Sequence, residues 1–115
     1  MKKPVEFTTT ISPFEAADIV LNHHELKDDL LYWEHHVVGD DGKQICTFVF
    51  EKYYIRTGGR ASLTVILENL EGISKVRCIT SGSAESILSF DLGAGGNFVS
   101  WFKYLLQGYI ADESE

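Results

Sequence analysis

Hydrophobic and polar residues alternate with a period of two through most of the chain between Tyr32 and Ser81. Each long run ends in a segment that contains glycine, namely GDDG, TGGR and EG. Because side chains alternate between the sides of a strand and tight turns favour glycine, this pattern predicts an antiparallel meander. We expect a further strand rich in β-branched residues over Val5–Ile11, and a short one over Ile87–Leu92.

A period near 3.6 residues replaces this alternation at two places. Ser12, Pro13 and Glu15 predict a helix start, since they provide a hydroxyl cap, a proline at the first helical position and an acid that reaches back to the cap. The expected inward stripe of this helix is Phe14, Ala17, Val20 and Leu21. A second helix is predicted from about Gly96 to Ala111. Its apolar face is Phe98, Trp101, Phe102, Leu105, Leu106, Tyr109 and Ile110.

These elements predict one α+β domain over residues 1–115. Its antiparallel β-meander sheet carries an N-terminal helix and a long amphipathic C-terminal helix packed across one face. The residues expected in the core are Phe48, Phe50, Leu63, Val65, Trp101, Phe102 and Leu105.

Charge and composition narrow the classes of partner. The chain has 10 Lys and Arg against 17 Asp and Glu, so its field repels phosphate backbones and we expect no nucleic-acid partner. We find no signal peptide and no apolar stretch near the ~20 residues of a membrane span, so we expect no membrane partner. Cys46 and Cys78 lie in β-like runs without metal-type spacing, and we interpret them as reduced core thiols of a cytoplasmic protein.

The segment LGAGGNFVSWF, residues 92–102, places glycines between a predicted strand and a predicted helix. A phosphate loop of the Rossmann type needs a parallel βαβ unit and a third glycine where Phe98 stands, so we interpret the segment as a chain reversal with a helix cap. A helix start still exposes amides that can bind a small anion. The candidate ligand or anion contacts are Gly95, Gly96, Asn97, Ser81 and Ser83.

Two further groups of residues could support chemistry. The histidines His23, His24, His35 and His36 form an incomplete metal set, because neighbouring strand residues point to opposite faces and catalytic sites usually need three protein ligands. The Thr80–Ser83 loop has hydroxyls but no GxSxG nucleophile elbow. We therefore predict no catalytic residue, metal or cofactor. A small enzyme or metal-binding protein that uses these residues is the alternative function.

The run from Lys43 to Arg56 is apolar on both of its sides, whereas a solvated face should alternate toward polar residues. This predicts a noncatalytic binding or self-assembly module that forms a two-fold homodimer through the second face of its sheet. The alternative is that the N-terminal helix covers this face within one chain. The candidate interface residues are Ile45, Val49, Tyr53, Ile55, Ile66 and Ile79.

The segments FVFEKYYIRTGGRASLTVIL and CITSGSAESILSFDLG resemble a family of small bacterial proteins of unknown function, with a FERY strand, a Gly-Gly-basic turn and an AITSGGSQA stretch. The resemblance covers roughly residues 46–106 and implies no function. The positions that match the shared motif are Glu51, Tyr53, Gly58, Gly59, Arg60, Ser62, Thr80, Ser81, Gly82 and Ser83. The chain departs from the pattern in the lysine after Glu51 and the glycines at 95 and 96.

The overall layout is also similar to that of helix-grip proteins, in which an antiparallel sheet and a long final helix enclose an apolar ligand. This analogy adds a small apolar ligand as an expected partner, in a pocket between the last helix and the sheet.

Overall fold

The period-two segments form a six-stranded antiparallel sheet in the computed structural model, which describes residues 4–23, 28–54, 59–82 and 98–114. Two helices accompany the sheet in these residues. In chain order the elements are β1 (Val5–Thr9), α1 (Pro13–Leu21), β2 (Leu30–Val38), β3 (Lys43–Tyr54), β4 (Gly59–Glu68), β5 (Lys75–Gly82), α2 (Phe98–Leu105) and β6 (Ile110–Ser114). The α+β class is therefore confirmed, while the strand predicted over 87–92 lies outside the described residues.

The strand order across the sheet is β2-β3-β4-β5-β1-β6. Strands β2 to β5 form the predicted meander, and the hairpin of the TGGR segment pairs Tyr54 with Gly59. The first strand then inserts between two distant partners, with Val5 opposite Cys78 of β5 and Phe7 opposite Glu113 of β6. One end of the sheet is thus closed by strands from the two ends of the described chain.

Both helices pack on the same face of the sheet. Cys46, Phe48 and Phe50 of β3 lie on this face and are fully buried. The remaining buried apolar side chains are Phe7, Ala16, Ala17, Val20, Ala61, Leu63, Val65, Leu67, Val76, Cys78, Phe98, Trp101, Phe102, Leu105 and Leu106. All seven residues predicted for the core are therefore confirmed. The alternative in which the N-terminal helix covers the opposite face is wrong, because α1 joins the same hydrophobic core.

The start of α1 follows from its first four residues. The Glu15 amide donates to Ser12 Oγ at 3.2 Å, and the Ser12 amide donates to Glu15 Oε1 at 3.0 Å, so the predicted capping box is confirmed. The hydrogen bond from the Ser12 amide first, and interaction with the Ser12 side chain second, hold the pKa of Glu15 below its ordinary value. The Phe14 amide donates to the Gln44 side chain at 3.0 Å, which fixes the helix start against β3.

The C-terminal helix is shorter than predicted, because α2 ends at Leu105 instead of near Ala111. The Leu106 amide donates to the Lys103 carbonyl and the Tyr109 amide to the Leu106 carbonyl, each over three residues, so the helix closes in turns. Gly108 then adopts a φ of 92°, a conformation in which glycine commonly terminates helices. Ile110, which we placed on the helix, instead begins β6.

Glycine at the end of β5 is required by a close backbone approach. Gly82 has a φ of +135°, and a Cβ built there would lie 2.4 Å from the Arg60 carbonyl oxygen of β4. Gly72, in the β4–β5 turn, also has a positive φ of +91°, but a Cβ there would meet no atom within 4 Å. Substitutions at these two positions therefore distinguish the effect of backbone strain alone from the added effect of steric overlap.

We expect Gly82→Ala to lower the free energy of unfolding by about 2 kcal/mol or more, and Gly72→Ala by about 1 kcal/mol. Both variants strain the backbone, but only the first forces β4 and β5 apart. Urea denaturation followed by circular dichroism measures the difference. Equal losses in the two variants would show that the approach of β5 to Arg60 imposes no restriction.

Candidate functional site

The side of the sheet opposite the helices is the main surface that packing within the described chain leaves uncovered. We call it the helix-free face. Its residues on β2 to β5 are Tyr32, Glu34, His36, Val38, Lys43, Ile45, Thr47, Val49, Glu51, Tyr53, Arg60, Ser62, Thr64, Ile66, Glu68, Lys75, Arg77, Ile79 and Ser81. The structure places five of the six predicted interface residues here, and Ile55 lies outside the described residues.

The centre of the helix-free face is made of β-branched side chains. Val49 is opposite Thr64, which is opposite Ile79 on the next strand, and Thr47 is opposite Ile66. The isoleucine and valine side chains of this group are half-buried by their neighbours alone. The face is therefore a mixture of polar and apolar residues, because threonines lie between the aliphatic residues. The sequence pattern had suggested a more continuous apolar surface.

Charged residues at the margin of the helix-free face are paired with each other. Arg77 Nη2 lies 2.8 Å from Glu68 Oε2, and Arg60 Nη1 lies 3.4 Å from Glu51 Oε1. Glu68 is only 3% exposed, and its other carboxylate oxygen accepts the Leu70 amide at 2.9 Å. Because each ion pair contains both signs, the margin is close to neutral although the chain has a formal charge of −7.

Strand β2 forms one edge of the sheet and exposes several large apolar side chains. The exposed fractions are 61% for Leu31, 54% for Tyr32, 39% for Trp33, 63% for Val37 and 40% for Val38. In the described part of the chain, β3 is the sole strand that pairs with β2. This edge was missed from the sequence, although the absence of lysine and proline in LLYWEHHVV is a signal that could have found it.

A cleft of about 220 Å³ lies between α1 and the outer strands on the helix-bearing side. The His35 ring stacks on Trp33 with centroids 5.1 Å apart and meets the edge of Phe14 at 5.3 Å. The residues that line the cleft are Phe14, Ala17, Asp18, Leu21, Trp33, His35 and Cys46. The cleft therefore lies beside α1. The aromatic side chains of α2 pack closely on the sheet instead, and the ring centroids of Trp101 and Phe50 are 5.4 Å apart.

The histidines do not converge. His35 lies in the cleft, whereas His36 is on the helix-free face with its Nε2 3.5 Å from Glu34 Oε2. His23 follows α1, and His24 lies outside the described residues. Within residues 4–23, 28–54, 59–82 and 98–114, no three His, Cys, Asp or Glu side chains are grouped so that they could hold a metal ion.

The described part of the Thr80–Ser83 segment is not the loop that we expected. Thr80, Ser81 and Gly82 belong to β5, where Thr80 is opposite Leu63 and Ser81 opposite Ser62. Pairing with β4 continues through these residues because Gly82 permits the close approach described above. The other candidate anion contacts, Ser83, Gly95, Gly96 and Asn97, lie outside the described residues.

Neither cysteine has the environment of a nucleophile. Burial raises the pKa of the Cys46 thiol to about 11, with the Asp18 carboxylate as a second cause, and burial raises that of Cys78 to about 12. Both are free and buried, so the expected core thiols are confirmed. Reactive cysteines have lowered pKa values and partial exposure, and these two have neither.

Comparison with known proteins identifies the family but no activity. No helix among the described residues has the length and apolar character needed to cross a membrane. No curated protein and no solved structure matches the chain. One family model, described as a family of unknown function (DUF6054), matches residues 30–110, from the start of β2 to the start of β6. This match includes more than half of the 115 residues, so the chain belongs to the DUF6054 family of unknown function.

Proposed function

We propose that the protein is a noncatalytic self-assembly module in which two copies pack their helix-free faces together around a two-fold axis. The observation that supports this most is the placement of both helices on one side of the sheet. A six-stranded sheet that the described residues leave bare on one side, with β-branched side chains at the centre of that side, resembles half of a sandwich. A second copy supplies the missing layer.

A second copy suits this face because the face is locally balanced in charge. On β2 to β5, the acidic residues Glu34, Glu51 and Glu68 stand against the basic residues Lys43, Arg60, Lys75 and Arg77. Two such faces meet without the repulsion that the whole chain, at −7, would produce elsewhere. Two-fold pairing is also the commonest way in which identical chains bury a shared patch.

Substitution at the centre of the face tests this dimer. Ile66→Asp places a carboxylate next to the Thr47 position, in the middle of the proposed contact, and should weaken dimerisation by at least about 100-fold through desolvation of the charge. Ile73→Asp is the matched control, since Ile73 is 56% exposed in the turn after β4 and lies off the face. Sedimentation equilibrium at micromolar concentration measures both variants against the unmodified chain.

A chain that remains a 12.9 kDa monomer at increasing concentration would remove the proposal. An equal effect of Ile66→Asp and Ile73→Asp would place the contact elsewhere. An assembly that contains a protein other than this chain would identify the face as the docking site of a different partner.

The noncatalytic part of the proposal predicts inert thiols. At pH 8 the folded protein should not react with a thiol-specific disulfide reagent, because pKa values of about 11 and about 12 leave Cys46 and Cys78 protonated. Unfolding in urea should release two equivalents. Rapid labelling of one cysteine in the folded chain would contradict the noncatalytic part of the proposal.

The same shifts fix the direction of a pH effect. An unfolded thiol loses its proton near pH 8.5, while the folded thiols keep theirs to about pH 11 and about pH 12. The folded state therefore binds more protons between these values, and the free energy of unfolding should fall as pH rises through this window.

Two unpaired thiols also support the expectation of a reducing compartment such as the cytoplasm.

Binding of a small apolar ligand is a second candidate function, and the cleft beside α1 favours it. Its walls are aromatic and aliphatic apart from Asp18 and His35, and its volume of about 220 Å³ accepts a small aromatic molecule. We expect indole to shift the amide resonances of Phe14, Trp33 and His35 in a two-dimensional NMR titration. Ala17→Leu should abolish these shifts by filling the cleft, and the exposed Ala111→Leu should not. Shifts that persist in Ala17→Leu would place indole elsewhere.

A further inference from the structure

The outer edge of β2 is built as a recognition surface. Edge strands usually carry lysine, proline or a pronounced bulge, because an unpaired row of backbone amides and carbonyls templates the addition of another strand. β2 is nine residues long and has neither lysine nor proline. Its register shift lies at one end, between Leu30 and Tyr32, which leaves the rest of the strand regular.

The opposite edge of the sheet shows the protection that β2 lacks. β6 has only five residues, and its sequence IADES includes three polar residues, two of them acidic. The sequence of β6 thus puts two acidic residues on the strand that a new strand would pair with, whereas addition beside β2 buries the exposed Tyr32, Trp33 and Val37. The two edges of one sheet are thus unequal, and only β2 is suited to pairing.

The sequence of β2 is self-complementary in one antiparallel register. Two-fold pairing that keeps the pleat must be centred on a residue, since directly opposed side chains lie on the same side of a sheet. A centre at His35 sets Glu34 opposite His36 of the second copy, twice. A centre at Glu34 would instead oppose two carboxylates, which is destabilising.

The same register also matches apolar residues. On the helix-bearing side, Trp33 is opposite Val37 of the second copy, again twice. On the helix-free side, Tyr32 is opposite Val38. Aromatic residues opposite β-branched residues are among the favourable cross-strand pairs, so each side of the strand gains contacts.

The side chains that make the polar pairs are already oriented within one chain. The Tyr32 hydroxyl donates to Glu34 Oε2 at 2.7 Å, and His36 Nε2 lies 3.5 Å from the same oxygen. The Tyr32 hydrogen bond first, and the His36 contact second, hold the pKa of Glu34 below its ordinary value. Glu34 is therefore an ionised acceptor. It lies beside the imidazole of His36, the residue that would be opposite Glu34 of the second copy.

From this geometry we infer that β2 is a second interface, through which two copies join edge to edge into one continuous antiparallel sheet with the two-fold axis at His35. The axis is perpendicular to the sheet, so the helices of both copies lie on the same side and the helix-free faces form one surface. This interface goes beyond the face-to-face dimer and does not depend on it. Together, the two interfaces give a closed assembly of four chains when their two-fold axes cross at a right angle.

A two-by-two set of variants separates the interfaces. Val37→Lys puts a charge opposite Trp33 at the edge, Ile66→Asp acts on the helix-free face, and the third variant combines them. Ile73→Lys in the exposed turn is the matched control for Val37→Lys. In sedimentation equilibrium we expect four chains for the unmodified protein, two for each single variant and one for the combination. Val37→Lys should raise the dissociation constant of the edge interface by at least about tenfold, and Ile66→Asp that of the face interface by at least about 100-fold.

Each other pattern decides between the proposals. A dimer that Ile66→Asp dissociates and Val37→Lys leaves intact overturns the edge and retains the face. A dimer that only Val37→Lys dissociates retains the edge and overturns the face. A monomeric unmodified chain overturns both. An assembly that neither variant changes also overturns both, because its contact then lies elsewhere.

Hydrogen exchange provides the readout that a folding defect would not imitate. In the Ile66→Asp background, the β2 amides should exchange at least about tenfold faster when Val37→Lys is added, while amides of the central strand β4 keep their protection. Faster exchange throughout the sheet would indicate misfolding of the variant. In that case the pair Glu34→His with His36→Glu, which exchanges the two partners and preserves the register, must retain the edge contact, and its loss overturns the proposal.

Discussion

The packing of both helices on one face of the sheet is the constraint on which the rest of the molecule depends. Phe50 lies in this contact. Its ring centroid is 5.4 Å from that of Trp101 and 6.1 Å from that of Phe102. Phe48 continues the aromatic row toward Trp33, at 6.2 Å. Burial of these large rings supplies far more apolar area than the aliphatic residues on the other side of β3 could, so the helices settle on this face. The proposal for the other face follows from that choice.

The period of the sequence was sufficient to predict the meander and the core, since alternation places Phe48 and Phe50 on one side of β3 regardless of which residues cover them. It placed the C-terminal helix on this side but could not decide whether the N-terminal helix would cover the other one, because Ile45 and Val49 make the second side apolar as well. Burial area decides that question, and it depends on packing in three dimensions. The capping box of α1 was predictable because its hydrogen bonds join residues only three apart.

The C-terminal helix was predicted too long because Tyr109 and Ile110 continue a helical spacing by coincidence. Gly108 was the competing local signal, and it should have carried more weight. The pairing of β1 with β5 and β6 had no local signal at all, since nothing in VEFTT specifies its neighbours. The cleft and the β2 edge were missed for a similar reason, because both depend on which elements become neighbours in space.

The insertion of β1 between β5 and β6 has a consequence for how the chain is made. This strand leaves the ribosome before the other five described strands, whereas Cys78 and Glu113, the residues opposite it, are synthesised much later. The sheet therefore cannot close during early synthesis, and closing it requires contacts between distant parts of the chain, which slows folding. Until the residues of β5 have emerged to pair with β1, the growing meander presents its most recent strand as an additional open edge, beside the β2 edge that the finished fold retains. The vulnerable period for misassembly thus extends until the last strand has emerged, and a chain truncated before β6 leaves β1 itself as the exposed edge.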